Sequence, residues 1–170
     1  EDARNARMRF FRELMESKKV DRVATAHTRS DQAETVLFRL LRGAYLGGIA
    51  GILPVTPGGL VRPMIDVDRE DVIGELTSRH MAWREDSSNR DPRFARNRIR
   101  HEVLPWLERE WNPELSRGLA TFASLALDDE NYWTEYIENE ARDVLQFQGN
   151  SVLLAASELK RRPRAVTRRL

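Results

Sequence analysis

The sequence predicts an α/β fold, with an incomplete parallel sheet packed by helices and a mainly helical region after it. Three observations predict it. Helical and strand-like apolar patterns alternate through the first half of the chain in the order helix, strand, helix, strand, helix. Each strand-like run is short and flanked by helices, as in a parallel sheet covered on its faces. Beyond Asn112-Pro113 the pattern is almost entirely helical. Two strands do not make a stable parallel sheet, so the remaining strands are expected before residue 1.

Taken in order, Ala3, Ala6, Phe10, Leu14 and Met15 recur at helical spacing and predict a helix over 2–18 with those side chains inward. Val20 to Ala26 reads as a buried strand. A helix over 29–42 should bury Ala33, Val36, Leu37, Leu40 and Leu41, and Gly43 should stop it. A glycine-rich loop, 43–51, follows. Leu60 to Ile65 is the second strand, with Pro63 placing it at an edge or a strand end. Asp68 should cap a helix over 69–81, with Asp71 in the capping-box position and Val72, Ile73 and Leu76 buried. Residues 84–101, "REDSSNRDPRFARNRIRH", form a polar loop that runs into a short arginine-dense helix. Val103 to Leu107 should pack. Asn112 and Pro113 are a cap and first-turn proline for a long helix to about Leu145, with Leu115, Leu119, Phe122, Ala126, Trp133 and Ile137 available to bury. A short strand, Ser151 to Ala155, and a basic helix complete the chain. The expected division is at residue 112, with 1–112 the later part of a sheet domain and its Arg-rich segment, and 113–170 the start of a helical second domain. The chain begins inside an amphipathic pattern without Met, and the expectation is that it is a piece of a longer protein.

The 170 residues carry a net charge of +1, so the molecule as a whole makes no electrostatic case for nucleic acid, and only local clusters could. There is no cysteine, which excludes disulfides and thiolate metal sites and is compatible with a cytoplasmic location. No apolar run reaches membrane length, and no membrane partner is expected.

The turn after the first strand, "AHTRSDQAE", crowds His27, Ser30, Asp31 and Glu34 together. At about 100° per residue with Asp31 at zero, the apolar face of the following helix centres near roughly 210°. Asp31 and Glu34 then lie one turn apart, away from that face, at the carboxyl end of a strand, where open α/β sheets bind ligands. Two carboxylates there suit an ammonium group, Mg²⁺ or acid–base work. Capping by Thr28 and Asp31, helped by the helix dipole, accounts for Asp31 well, for Glu34 in part and for His27 not at all.

Arg90, Arg93, Arg96, Arg98 and Arg100 form the densest basic stretch. Arg93, Arg96 and Arg100 would share one helical face able to follow phosphates, with Asn97 within reach of a base or ribose. A solvated face with internal Asp–Arg pairs is the other reading. The run from Lys160 to Leu170 is a second candidate phosphate contact. Trp83, Trp106, Trp111 and Trp133 are expected in cores rather than stacked on bases. His80 and His101 lack ligand-spaced partners, so no metal site is assigned.

Three blocks together resemble one family. "AHTRSDQAETVLFRLLRG" resembles the "GHHxDDQxETxLLxLxRGxG" segment of bacterial tRNA(Ile)-lysidine synthases, which belong to the PP-loop ATP pyrophosphatases. "LVRPMIDVDREDVIGEL" is similar to their "IRPLLxxxRxEI", and "WREDSSNRDPRFARNRIRHEVLPWL" to their "WxEDxSNxDxxYxRNxxRxxxxPxL". The resemblance implies a PP-loop, Rossmann-like nucleotide-binding fold. It implies ATP, with Mg²⁺, as co-substrate, tRNA(Ile) with a CAU anticodon and free L-lysine as substrates, and conversion of the wobble cytidine to lysidine. It further implies catalytic roles for His27, Asp31, Glu34 and Arg42, lysine binding by Asp31 and Glu34, and tRNA or phosphate binding by Arg96, Asn97 and Arg100, beside the Arg93 that spacing alone adds. Ser30 stands where the family shows the first aspartate of a pair. The family's ATP loop, SGGxDS, does not occur in the sequence. The expectation is that this chain alone neither binds ATP tightly nor modifies tRNA. Another tRNA-modifying ATP pyrophosphatase and a non-catalytic RNA-binding module are the alternatives. An exposed sheet edge would invite a second copy of the chain as a homodimer partner.

Overall fold

The computed structural model describes residues 2–84, 91–149, 151–154 and 156–170. The expected Arg90 and the expected strand end at Ala155 fall outside them. The chain divides into two compact units, 1–126 and 127–170.

In the first unit, α1 (Asp2–Glu16) leads to β1 (Val23–Ala24), then α2 (Arg29–Leu41), α3 (Leu46–Ile49) and β2 (Leu60–Val61). The two strands pair in parallel, with Val23 opposite Leu60 and Ala24 opposite Val61. Both are shorter than the apolar runs that announce them, because only two residues of each find a ladder partner among the described residues. α1 differs from expectation as well: Phe10 is 55% exposed. Its Met15 instead reaches the turn before β2, where a Cβ on Gly59 (φ +83°) would lie 2.7 Å from the Met15 sulfur.

α2 is the central element. Ala33 and Val36 are fully buried, but Leu40 and Leu41 are 39% and 65% exposed, so the apolar face is covered only over its first half. Val36 packs with Ile49, Ala123 and Ala126, while Ala33 packs with Ile99 and Leu104, and Leu119 contacts both groups. Full burial of a side chain such as Val36 contributes roughly 1.5–3 kcal/mol. The glycine loop after α2 is tied back to it. Arg39 Nη1 donates to the carbonyls of Gly48 (2.6 Å) and Gly51 (2.9 Å), and Gln32 bonds both the N–H and the carbonyl of Ile52.

α4 (Arg69–Ser78) follows. The expected capping box at its start is not formed, because the Asp68 side chain pairs with Arg29 of α2 instead. Val72, Ile73 and Leu76 are half-buried rather than buried. The arginine-dense segment becomes α5 (Ala95–Arg98), a π-helical turn (Ile99–Val103) and α6 (Leu104–Glu110). Arg93 precedes the first helical residue and so does not share the face of Arg96 and Arg100. The long helix α7 (Leu115–Val144) starts where expected, with Asn112 Oδ1 accepting from the Glu114 N–H at 3.0 Å. Trp83, Trp106 and Trp111 are exposed, at 45%, 48% and 75%, which overturns their assignment to a core.

In the second unit, the end of α7 leads into a strand the sequence had hidden, β3 (Leu145–Gln148), paired antiparallel with β4 (Ser151–Leu154). Gly149 in the connecting turn has φ +57°. The basic helix is split by Pro163 into α8 (Ala156–Arg161) and α9 (Arg164–Thr167). Much of its charge is spent internally. Arg162 Nε donates to Glu140 at 2.6 Å, and Arg169 donates to both oxygens of Glu130 while its guanidinium sits 5.1 Å from the Trp133 ring centre.

Candidate functional site

The first strand ends at Ala24, and the chain turns through Thr25 to Thr28 into α2. The ladder continues one bond further, Thr25 N–H to the Val61 carbonyl at 2.9 Å, and the Arg29 N–H donates to Val67. His27 is therefore held at the carboxyl end of β1, its Nδ1 2.9 Å from the Thr25 hydroxyl. Burial lowers the His27 pKa below its ordinary 6.5. Arg62, Arg96 and Arg7 push the same way, and Asp31 opposes them. The ring is neutral at pH 7 and suited to accept a proton or a hydrogen bond rather than to pair with an anion.

Asp31 does two jobs at once. Its Oδ2 accepts from the Thr28 N–H (2.9 Å) and hydroxyl (3.1 Å), in the capping box the sequence predicts. Its Oδ1 accepts from Arg100 (2.9 Å) and Arg96 (3.3 Å). Glu34, one turn on, is only 2% exposed. Its Oε1 accepts from Arg100 Nε at 2.5 Å, and its Oε2 from Arg96 Nε and from Arg100, both at 3.0 Å. Sequence geometry put Glu34 away from the apolar face of α2. It is buried because the segment 95–104 packs along that side of α2. Burial disfavours the charge on Arg100, but the hydrogen bonds and charges of Glu34 and Asp31 more than offset this and raise its pKa above the ordinary guanidinium value. The result is a neutral cluster of two carboxylates and two guanidinium groups.

The structure thus brings together His27, Asp31, Glu34, Arg96 and Arg100, five of the residues singled out in the sequence. It does not bring the others in. Arg93 is exposed and chelates Asp91. Asn97 donates to the Asp91 carbonyl at 2.9 Å. Arg42 lies at the far end of α2, eleven residues or about 16 Å along the axis from Asp31. There its guanidinium sits 4.9 Å from the Phe38 ring centre, beside a groove of about 460 Å³ that it shares with Arg98 and Glu102. Gln32 and Arg39, which fasten the glycine loop, were not foreseen. Gln32 stands within the "SDQAE" motif, and its neighbours' charges drew attention from it.

A parallel strand whose carboxyl end runs through a polar turn into a helix start is the kind of corner at which open α/β sheets bind ligands, and here it carries one buried and one partly buried carboxylate. Residues 1–107 match the PP-loop domain family, and the chain belongs to that family. More particularly, it is similar to proteins named tRNA(Ile)-lysidine synthase. It is 48% identical over 170 residues to that of Solibacter usitatus, covering all of this chain and 39% of the relative. It is 40% identical to that of Geobacter sulfurreducens (all of this chain, 36% of the relative) and 32% identical to that of Bacillus subtilis (98% and 36%). The chain spans a little over a third of the length of these curated relatives.

Proposed function

We propose that this chain is part of an enzyme that converts the wobble cytidine of tRNA(Ile) with a CAU anticodon to lysidine. ATP, when bound with Mg²⁺, supplies the adenylyl group that activates cytidine at C2, with loss of diphosphate. The amine of free L-lysine then attacks C2, and AMP leaves. The observation that carries this reading is the acidic pair at the strand end, Glu34 buried and Asp31 partly so, each paired with the same two guanidinium groups. It is a site built to hold positive charge, in a chain that aligns along its whole length with proteins bearing that name.

In this reading Asp31 and Glu34 receive the lysine ammonium, and neutral His27 faces the nucleotide or target base. Arg96 and Asn97 contact RNA or phosphate, with Arg93 on the approach, while Arg100, also expected there from the sequence, holds both carboxylates. Arg42, remote from the acidic pair, acts on the RNA rather than at the reacting carbon. The glycine loop 43–51 is not read as a phosphate cradle, since the N–H groups of Gly43, Ala44, Gly48 and Ile49 already donate to backbone carbonyls and that of Ile52 to Gln32. No described residue is therefore assigned to the ATP phosphates. We further place residues 1–112 in the catalytic domain and 113–170 in a helical domain, in a cytoplasmic protein that pairs as a homodimer.

The test is to incubate the full-length protein that carries this chain with the tRNA transcript, ATP and labelled lysine. Lysine incorporation and AMP release in equal amounts are expected. Asp31→Asn should raise the lysine KM more than the RNA Kd. RNA binding without incorporation under all conditions would instead support a non-catalytic RNA-binding module.

A further inference from the structure

All four oxygens of the acidic pair are engaged. Each of its four oxygens already takes at least one hydrogen bond, from Thr28, Arg96 or Arg100. Glu34 is 2% exposed, so a substrate cation reaches its oxygens only by taking the place of a resident one, and the two arginines are not equivalent. The Arg100 side chain is 21% exposed and makes three bonds of 2.5, 2.9 and 3.0 Å. The Arg96 side chain is 43% exposed and makes two, of 3.0 and 3.3 Å. Glu34, at 2% exposure, cannot be left without a cation, because an unpaired buried carboxylate is strongly disfavoured. One arginine must stay, and the shorter, less exposed set of bonds belongs to Arg100.

We infer that Arg96 is an internal stand-in for the substrate ammonium, released from Glu34 Oε2 and Asp31 Oδ1 when the amine binds, while Arg100 remains as the positioning residue that keeps both carboxylates paired and aimed. This rests on the amine-site reading above and adds to it an exchange and its consequence. Replacing one cation by another preserves the neutrality of the cluster. A compact ammonium with three donors serves the two oxygens that Arg96 gives up. The freed guanidinium, at the rim of the site, becomes available to a phosphate of the RNA or of the activated intermediate. Amine entry and phosphate binding therefore favour each other, and the coupling must be equal in both directions.

The experiment is calorimetric titration of L-lysine into the full-length protein with and without the tRNA. In the wild type, the tRNA should tighten lysine binding by about five-fold, the worth of one half-exposed ion pair, and lysine should tighten tRNA binding by the same factor. Arg96→Met should tighten lysine binding about five-fold in the absence of RNA, weaken RNA binding and abolish the coupling. Arg96→Lys, whose own ammonium can reoccupy the pair, should return the lysine affinity toward the wild-type value. Arg100→Met should weaken lysine binding. On the unmutated protein, ¹⁵N-arginine spectra should show the Arg96 Nε–H signal shifting as lysine is added, with that of Arg100 retained. That measurement holds even where a variant does not fold. The exchange is overturned if Arg96→Met weakens lysine binding or leaves it unchanged, or if the Arg96 signal does not respond while lysine binds. Lysine binding that Asp31→Asn leaves intact would instead overturn the amine-site reading itself.

Discussion

Glu34→Gln is the substitution that separates a buried ionic cluster from a decorative one. The side chain is 2% exposed, and its two oxygens accept three hydrogen bonds from Arg96 and Arg100. The amide keeps the shape, removes the charge and turns one acceptor into a donor facing a guanidinium. Breaking a buried pair by removing one partner costs about 3–5 kcal/mol. The lower end applies here, because Arg96, with its side chain 43% exposed, relaxes into water, and Arg100 loses Glu34 but keeps Asp31. A loss of about 3 kcal/mol at about 2–4 °C per kcal/mol lowers Tm by roughly 6–12 °C. Arg100→Met, which leaves Glu34 with Arg96 alone, should cost about 2–3 kcal/mol. Arg96→Met should cost no more than about 1 kcal/mol, as a half-exposed pair. Urea titration gives each value, and a double-mutant cycle of Glu34 and Arg100 should return a coupling of about 1–3 kcal/mol. A Glu34→Gln loss below about 1 kcal/mol, or equal costs for the two arginines, would refute the reasoning.

Three further outcomes follow from local geometry. The folded His27 pKa lies below 6.5, so the unfolded chain binds that proton more tightly, and the contribution is complete above the unfolded value and lost as pH falls through the folded one. Stability should therefore fall as pH drops below about 6.5, and His27→Gln should flatten that part of the profile in thermal melts. Gly51→Ala should cost about 2 kcal/mol in the same assay, because φ is +68° and the new Cβ would lie 2.5 Å from Gln32 Oε1, which Ile52 holds in place. Gly43→Ala, at φ +75° with nothing within 4 Å, should cost only about 1 kcal/mol.

The helices were legible because their apolar residues keep one period over several turns. α2 and α7 begin and end within a few residues of expectation, and the Thr28–Asp31 capping box could be read from spacing alone. The strands were legible in position and direction but not in length, since a ladder depends on a partner that lies elsewhere in the chain. β3 was missed because Leu145 to Gln148 continues the polar–apolar rhythm of the helix before it, and the turn that follows it includes the positive φ of Gly149. The site was half legible. His27, Asp31 and Glu34 announced themselves, as did Arg96 and Arg100, but as two sites for opposite ligands. That the acids and arginines are each other's partners is a long-range contact, across more than 60 positions, that no local pattern encodes.

What sets that contact lies in the third block itself. Pro105 has no N–H to give to the carbonyl four residues back, and its ring crowds that carbonyl, so a regular α-helix cannot run through it. The chain responds with the wider turn of Ile99–Val103, closed by the Leu104 N–H on the Ile99 carbonyl. In a regular helix, residues five apart diverge by about 140°. Here Ile99 and Leu104 are both buried, at 4% and 5% exposure, against Ala33 of α2. With Ile99 pinned against the turn of α2 that carries Ala33, the residue after it and the residue three before it fall beside Glu34, the next residue of α2. Those residues are Arg100 and Arg96. The proline acts through helix phase, so the arginine pair and the acidic pair meet because the apolar residues between them have only one way to be buried.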